Sequence, residues 1–381
     1  VSGTLPRTSP PPVVRPYVPA PVVPAPAPPP AERRLLAFVR LGRPKFLVQS
    51  LMVVGLGVTM AVRDGHPFRP GWFLLTLGFA WCTHLMTHYC NEYFDLEADR
   101  ANAAPTSWTG GSRILVSGQL QPEVSLSAAF VLAFVALGLI ALMPGTEARL
   151  TAAAIATLAW FYTAPPLRLN YRALGELACA VVLYGLGPLL ACLLQADRLT
   201  ADDVVGAGLV CTLQFLRMSV MNLSDIDGDR ATGKRTLAVA LGERRLVAVY
   251  CLGQLLAPAV LLTAWALSRA LLPDLLAVAV TAPVAAWVAR ELLLGRLRDP
   301  ARANAITFRA SMHMPLTACA LTLALLGDAL TGPHGVPVSW LAVYGIALAG
   351  FWTWLGRAVR ANGVAAHGVP ADPPTTQEDP R

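Results

Sequence analysis

Apolar residues in this chain gather into runs of about twenty, the length an α-helix needs to cross the hydrocarbon core of a bilayer. Short stretches between the runs hold nearly all of the charge. The pattern predicts spans at 46–62, 71–90, 122–143, 148–164, 173–194, 203–222, 246–267, 271–289, 308–327 and 338–356. The tenth run is the weakest, bearing glycine and following a loop rich in proline and glycine. Ahead of the first span, Leu35, Leu36, Phe38, Val39 and Leu41 alternate with Arg33, Arg34, Arg40 and Arg43. Over 31–43 that is the make-up of a short amphipathic helix lying on a membrane surface. The expected fold is all-α, a polytopic membrane bundle of nine to ten transmembrane helices.

Charge gives this arrangement a direction. With the N-terminus inside, the inner segments (33–45, 100–113, 168–172, 230–245, 290–309 and 357–360) carry 21 Lys and Arg. The outer loops carry 5, namely Arg63, Arg69, Arg149, Arg198 and Arg269. This is a strong positive-inside bias, and it predicts a cell-membrane protein whose N-terminus and polar loops are cytoplasmic. The composition agrees. Hydrophobic residues make up 55% and charged residues 14%, with a mean hydropathy of +0.53, against about 25% charged in soluble domains. A soluble enzyme, a nucleic-acid-binding domain and a disulfide scaffold are excluded. The net charge of +7 belongs to the inner loops, and no nucleic-acid partner is expected. The seven cysteines form no C-x-x-C and read as small buried hydrophobes.

Residues 1–30 contain 12 of the 32 prolines and no hydrophobic period. They read as a disordered, extended leader, without the apolar core of a signal peptide. Residues 31–360 form the membrane domain, and the tail over 361–381, with Asp372, Glu378 and Asp379 among prolines, reads as disordered.

Chemistry concentrates at two inner helix ends. After the second span comes Asn91-Glu-Tyr-Phe-Asp95-Leu-Glu-Ala-Asp99-Arg100, with Asn91, Asp95 and Asp99 on one helical face. Carboxylates one turn apart repel unless a cation lies between them, and Mg²⁺ is held by one or two carboxylates together with substrate phosphates. A second acidic end follows the sixth span: Asn222-Leu-Ser-Asp225-Ile-Asp227-Gly-Asp229-Arg230, continuing through Gly233-Lys234-Arg235-Thr236. Two acidic pairs at matched positions, each followed by cations, fit a diphosphate held through metal ions.

These motifs resemble those of the UbiA superfamily of intramembrane prenyltransferases, with its N-x-x-x-D-x-x-x-D and D-x-x-x-D signatures. Thr109-Gly-Gly-Ser-Arg113-Ile-Leu-Val-Ser-Gly118 is similar to the glycine-rich loop of the dihydroxynaphthoate branch. Tyr162-Thr-Ala-Pro165-Pro166-Leu-Arg168-Leu-Asn-Tyr171-Arg172-Ala-Leu-Gly175-Glu176 and the run Asp225 to Gly242 resemble further family segments. Glu92, Ala173 and Met221 depart from common family residues, and Asn222 stands one place from a family asparagine. The resemblance covers about residues 31–327. It implies Mg²⁺ on Asp95, Asp99, Asp225 and Asp229, with Asn91 assisting. It also implies Arg113, Arg168, Arg172 and Lys234 as cations that neutralise departing diphosphate, and Tyr162 and Tyr171 as groups that stabilise an allylic cation or orient an acceptor. Asn222 and Arg217 are candidate substrate-binding residues.

The resemblance implies Mg²⁺-dependent transfer of an isoprenyl group from an isoprenyl diphosphate to a lipid-soluble, hydrophobic acceptor, an aromatic quinone precursor of the dihydroxynaphthoate type. A membrane terpene cyclase, sharing the ionisation step but using no acceptor, is the alternative within the superfamily. A secondary transporter is the alternative outside it, although transporters keep their charges near the midplane on broken helices. His84 and His88, at i and i+4, are expected to line the polar end of the cavity. Gln214 and Arg217 are expected to face that cavity, with Arg217 meeting an acid or the substrate, and His313 to be interior.

Overall fold

The computed structural model describes residues 31–102, 105–267 and 271–364. The proposed leader and most of the tail lie outside the described residues. Each apolar run is helical. In chain order the helices are α1 (Ala31–Leu41), α2 (Leu47–Arg63), α3 (Pro70–Phe94), α4 (Leu96–Ala101), α5 (Pro122–Leu142), α6 (Thr146–Trp160), α7 (Gly175–Ala180) and α8 (Gly187–Ala196). They continue with α9 (Ala201–Leu223), α10 (Ile226–Ala231), α11 (Leu237–Leu241), α12 (Glu243–Leu267), α13 (Leu272–Leu293), α14 (Pro300–Thr331) and α15 (Val338–Val364).

Among the described residues, eight helical segments are long and apolar enough to cross a membrane, fewer than the ten runs expected. Two runs account for the difference. With 15 residues, α6 spans only about 22 Å at 1.5 Å per residue. Helix α3 has ample length at 25 residues but carries Thr76, Thr83, His84, Thr87, His88 and Asn91 toward the central cavity, which lowers its hydropathy. The doubtful tenth run is among the eight, and its helix continues to Val364, past the expected start of the tail. The fifth run is a composite: α7 and α8 are joined through a π-helical turn over Val181–Leu186.

Helix α2 is the buried centre of the bundle. It packs against α3, α8 and α14, while α5 covers α3, α12 covers α9 and α13 covers α14. Close approach of α2 to α8 depends on Gly57, whose missing side chain leaves room for the backbone of Pro188. Small residues at helix crossings are the usual way membrane bundles gain contact. The outer surface is apolar instead of polar: Phe130, Val131, Phe134, Leu137 and Leu142 on α5 and Ile346, Trp352 and Val359 on α15 are all exposed. In water such a surface would be a large apolar patch; in lipid it is an ordinary one. The two acidic motifs follow directly on the ends of α3 and α9.

Candidate active site

The two acidic motifs are built alike. Helix α3 ends at Phe94, and Asp95 turns the chain into α4 while the i to i−4 pattern persists, with Asp95 N donating to Asn91 O and Asp99 N to Asp95 O, both at 2.8 Å. Asn91, Asp95 and Asp99 therefore keep one face. At the end of α9, Asp225 caps α10 in the same way, and Asp229 N donates to Asp225 O at 2.9 Å. The two short helices then pack together. Gly228 permits this, since a Cβ there would lie 3.1 Å from the Asn102 Cα.

A buried lysine joins the two ends. Lys234 Nζ lies 2.8 Å from Asp95 Oδ2 and 3.3 Å from Asp229 Oδ1. Asn102 Nδ2 donates to Asp225 Oδ1 at 2.8 Å, and Gly111, at φ +77°, has no room for a side chain against the Asp99 carboxylate. The site opens into a cavity between the helices. Asn91, Asp95, Asp99, Tyr162, Asn222, Asp225 and Lys234 line its charged end, and Val53, Val54, Phe79, Leu183 and Leu190 are among its apolar walls.

The donor set fits a hard divalent cation. Asn91 Oδ1, Asp95 Oδ1 and Asp229 Oδ2 are buried oxygens without a hydrogen-bond partner. Among the described residues no three His, Cys, Asp or Glu side chains converge on one point. One or two carboxylates per ion, with phosphate oxygens completing the shell, is the Mg²⁺ pattern. Electrostatics carry the same mark. Burial, with Glu92 and Asp95 adding to it against the pull of Arg43, pushes Asp99 up to about 7. Burial pushes Asp229 up to about 6 despite Lys234, and Asp225 is raised by burial as well. Lys234 is held well above its usual range because Asp95 and Asp229 outweigh its desolvation.

These shifts set a pH dependence. A carboxyl whose folded pKa is raised binds more protons in the folded state, so its contribution to stability is full below the unfolded value and is lost as pH rises through the folded one. For Asp99 and Asp229 that window runs from about 4 to about 7. In EDTA the thermal midpoint of wild type relative to Asp99→Asn is expected to fall between about pH 5.5 and 7.5, and saturating Mg²⁺ should flatten that relative decline, since a bound cation replaces the protons. A relative midpoint in EDTA that rises over that range would contradict a raised Asp99 carboxyl.

Not every expected residue joins the site. Arg172 is exposed and donates to Pro166 O at 3.1 Å, so it points away from the cavity. Arg168 stacks on the Tyr171 ring at 3.7 Å, and Tyr171 donates its hydroxyl to Phe94 O at 3.0 Å. That ring face is occupied, whereas Tyr162 lines the cavity. Arg113 donates to the Asp99 carbonyl and braces the first acidic end from behind. Asn222 donates to Glu176 at 2.8 Å. Arg217 lines the cavity but meets amides and a hydroxyl instead of an acid.

Several site residues were absent from the sequence expectation. Glu92, only 2% exposed, receives Arg43 and the backbone and hydroxyl of Ser112, clamping the glycine loop to α3. Glu176, fully buried, accepts from Asn222 and from Leu237 N at 2.9 Å, tying α7 to the second motif. An acid amid otherwise apolar or loop sequence is the signal that could have found both. His84 and His88 do line the cavity, with His88 Nδ1 donating to Gly42 O at 2.7 Å and His84 Nδ1 2.8 Å from Ser50 Oγ.

Comparison with known proteins decides the family. Residues 50–313 match the model of the UbiA prenyltransferase family. The chain belongs to that family. As a UbiA-family enzyme it is 25% identical over 289 residues to a digeranylgeranylglyceryl phosphate synthase of Korarchaeum cryptofilum, covering 74% of this chain and 95% of the relative. It is 27% identical over 233 residues to the 1,4-dihydroxy-2-naphthoate octaprenyltransferase of Escherichia coli, covering 58% and 75%. A UbiA homolog from Archaeoglobus fulgidus, solved bound to DMAPP and Mg²⁺, shares the fold with a TM-score of 0.53 at 14% identity, over 76% of this chain and 98% of that one. The all-α UbiA-like architecture is thereby established, and the transporter reading falls.

Proposed function

We propose that this chain transfers an isoprenyl group from an isoprenyl diphosphate to a lipid-soluble acceptor, with Mg²⁺ held by Asp95, Asp99, Asp225 and Asp229. The observation that carries the reading is the set of buried, unpartnered carboxylate oxygens from two helix ends, gathered around Lys234 at the charged end of an apolar-walled cavity. Bound Mg²⁺ would supply positive charge for the oxygens of the leaving diphosphate. Lys234 adds a fixed cation beside them, of the kind that lowers a barrier where charge develops. Asn91 offers its free amide oxygen to the first ion. The apolar walls take up the isoprenyl tail and keep water from the cation left when the C–O bond breaks, while Tyr162 offers a π face to it.

The acceptor we propose is an aromatic ring of the dihydroxynaphthoate type, supported by the glycine-rich segment 109–118 and by the Escherichia coli relative. A second reading, a prenylated glyceryl phosphate, is favoured by the archaeal relatives. The positive-inside bias of the loops supports a cytoplasmic position for the charged end and the N-terminus. The test is diphosphate release by purified protein in nanodiscs, with Mg²⁺ or EDTA and with or without each acceptor. Release that needs Mg²⁺ and an acceptor supports transfer. Release without an acceptor, giving a hydrocarbon, would make the enzyme a cyclase and overturn it.

A further inference from the structure

Arg217 lies on α9 eight residues before Asp225, about 12 Å along the helix at 1.5 Å per residue. It is 5% exposed. Its guanidinium reaches Ser311 Oγ at 2.9 Å, Gln214 Oε1 at 3.3 Å and Gln49 Oε1 at 3.4 Å, while its buried Nε has no partner. Among the described residues no carboxylate pairs with it; the titratable groups around it are Cys179, Tyr162, Tyr184 and His84, all uncharged when buried. A buried cation without a counter-charge is costly in a bilayer protein and marks a functional position. The guanidinium nevertheless lines the same cavity as the acidic site.

What occupies this position has to be polar. A hydrocarbon tail laid over the guanidinium would leave its charge desolvated and unpaired. The donor diphosphate has its own cations at the charged end, a helix length of about 12 Å away. We infer that Arg217 receives the anionic group of the acceptor, a carboxylate or a phosphate, and so orients the acceptor with its nucleophilic atom toward the donor. This rests on the transfer reading above and deepens it. An arginine fork suits both anions, since each accepts two parallel N–H bonds, and Gln49, Gln214 and Ser311 hold the fork in place. Both proposed acceptor classes carry such an anion, and the cyclase reading has no use for it.

The experiment measures binding and transfer separately, on the full chain in nanodiscs. The probes are 1,4-dihydroxy-2-naphthoate, geranylgeranylglyceryl phosphate and their neutral counterparts lacking the carboxylate or phosphate. Wild type is expected to bind at least one anionic probe about 10- to 100-fold more tightly than its neutral counterpart, the range of a charge-assisted hydrogen bond. The probe that wins identifies the anion. Arg217→Gln should erase that preference and raise the acceptor KM by a similar factor, leaving the KM of the isoprenyl diphosphate unchanged. Arg217→Lys should recover part of it. Equal binding of anionic and neutral probes by wild type would overturn the inference. So would a preference retained in Arg217→Gln, or a rise confined to the donor KM. Failure of the transfer reading looks different, because no acceptor would then be prenylated by wild type whatever it binds.

Discussion

Asp95→Asn and Asp225→Asn are each expected to lower the rate of diphosphate release at saturating donor by about a thousandfold or more. Each substitution keeps the shape of the side chain and removes one negative charge from a donor set already short of protein ligands. Stabilising the departing charge through a bound cation is worth several kcal/mol, and about 1.4 kcal/mol is a factor of ten in rate. The two residues should behave alike because they occupy equivalent places, each turning a long helix into a short one. Neither change should unfold the protein: Lys234 keeps Asp229 when Asp95 is neutralised, and Asn102 can still bond an amide at position 225. Rates and gel-filtration profiles in detergent check this together. A well-folded variant within tenfold of wild type would remove that carboxylate from the metal-binding set.

Lys234→Met should produce the largest loss of stability. Lys234 is 8% exposed and its two carboxylate partners 2% and 3%, so solvent screens the pairs little. Removing one partner of a buried ion pair costs about 3–5 kcal/mol, because the charge left behind has neither water nor a counter-ion. The thermal midpoint in EDTA is therefore expected to drop sharply. Mg²⁺ should narrow the gap between variant and wild type, since the ion restores positive charge beside Asp95 and Asp229. Activity should fall as well, since the role proposed for the ammonium is to meet the leaving diphosphate. Equal midpoints in EDTA would show that the lysine is not the bridge between the two acidic ends.

Long apolar runs made the helices legible, because crossing a bilayer leaves a chain little choice but a helix. The acidic motifs were legible for a related reason: few charges stand near apolar runs, so a repeated spacing stands out. Hydropathy averaging failed where a helix serves two environments. In α3 the cavity face is polar and the other faces apolar, and a mean over both mistakes lining for loop. Side-chain direction in loops was not legible. Arg168 and Arg172 have the same charge and stand four residues apart in one motif, yet one stacks on Tyr171 and the other turns to Pro166 and solvent, a difference set by tertiary packing. The ties through Glu92 and Glu176 likewise depend on partners 20 to 61 residues away, beyond any local pattern. Asn222 shows the same limit, its amide committed to Glu176 before any substrate arrives.

The π-helical turn over Val181–Leu186 gives the junction of α7 and α8 a fixed angular phase. An α-helix advances about 100° per residue, and a π turn accommodates one residue more than the α-helical turn it replaces. Deleting a single residue from this segment would let the helix wind regularly and leave α8 in nearly the same phase, because the wide turn had absorbed the surplus residue. Straightening the turn with every residue kept would instead advance everything downstream by about 100°. The strip of α8 that meets Gly57, with Pro188 and Ala191 at its centre, would then face elsewhere. The wide turn thus takes up the one residue surplus to the helix and keeps the same side of α8 presented to the centre of the bundle.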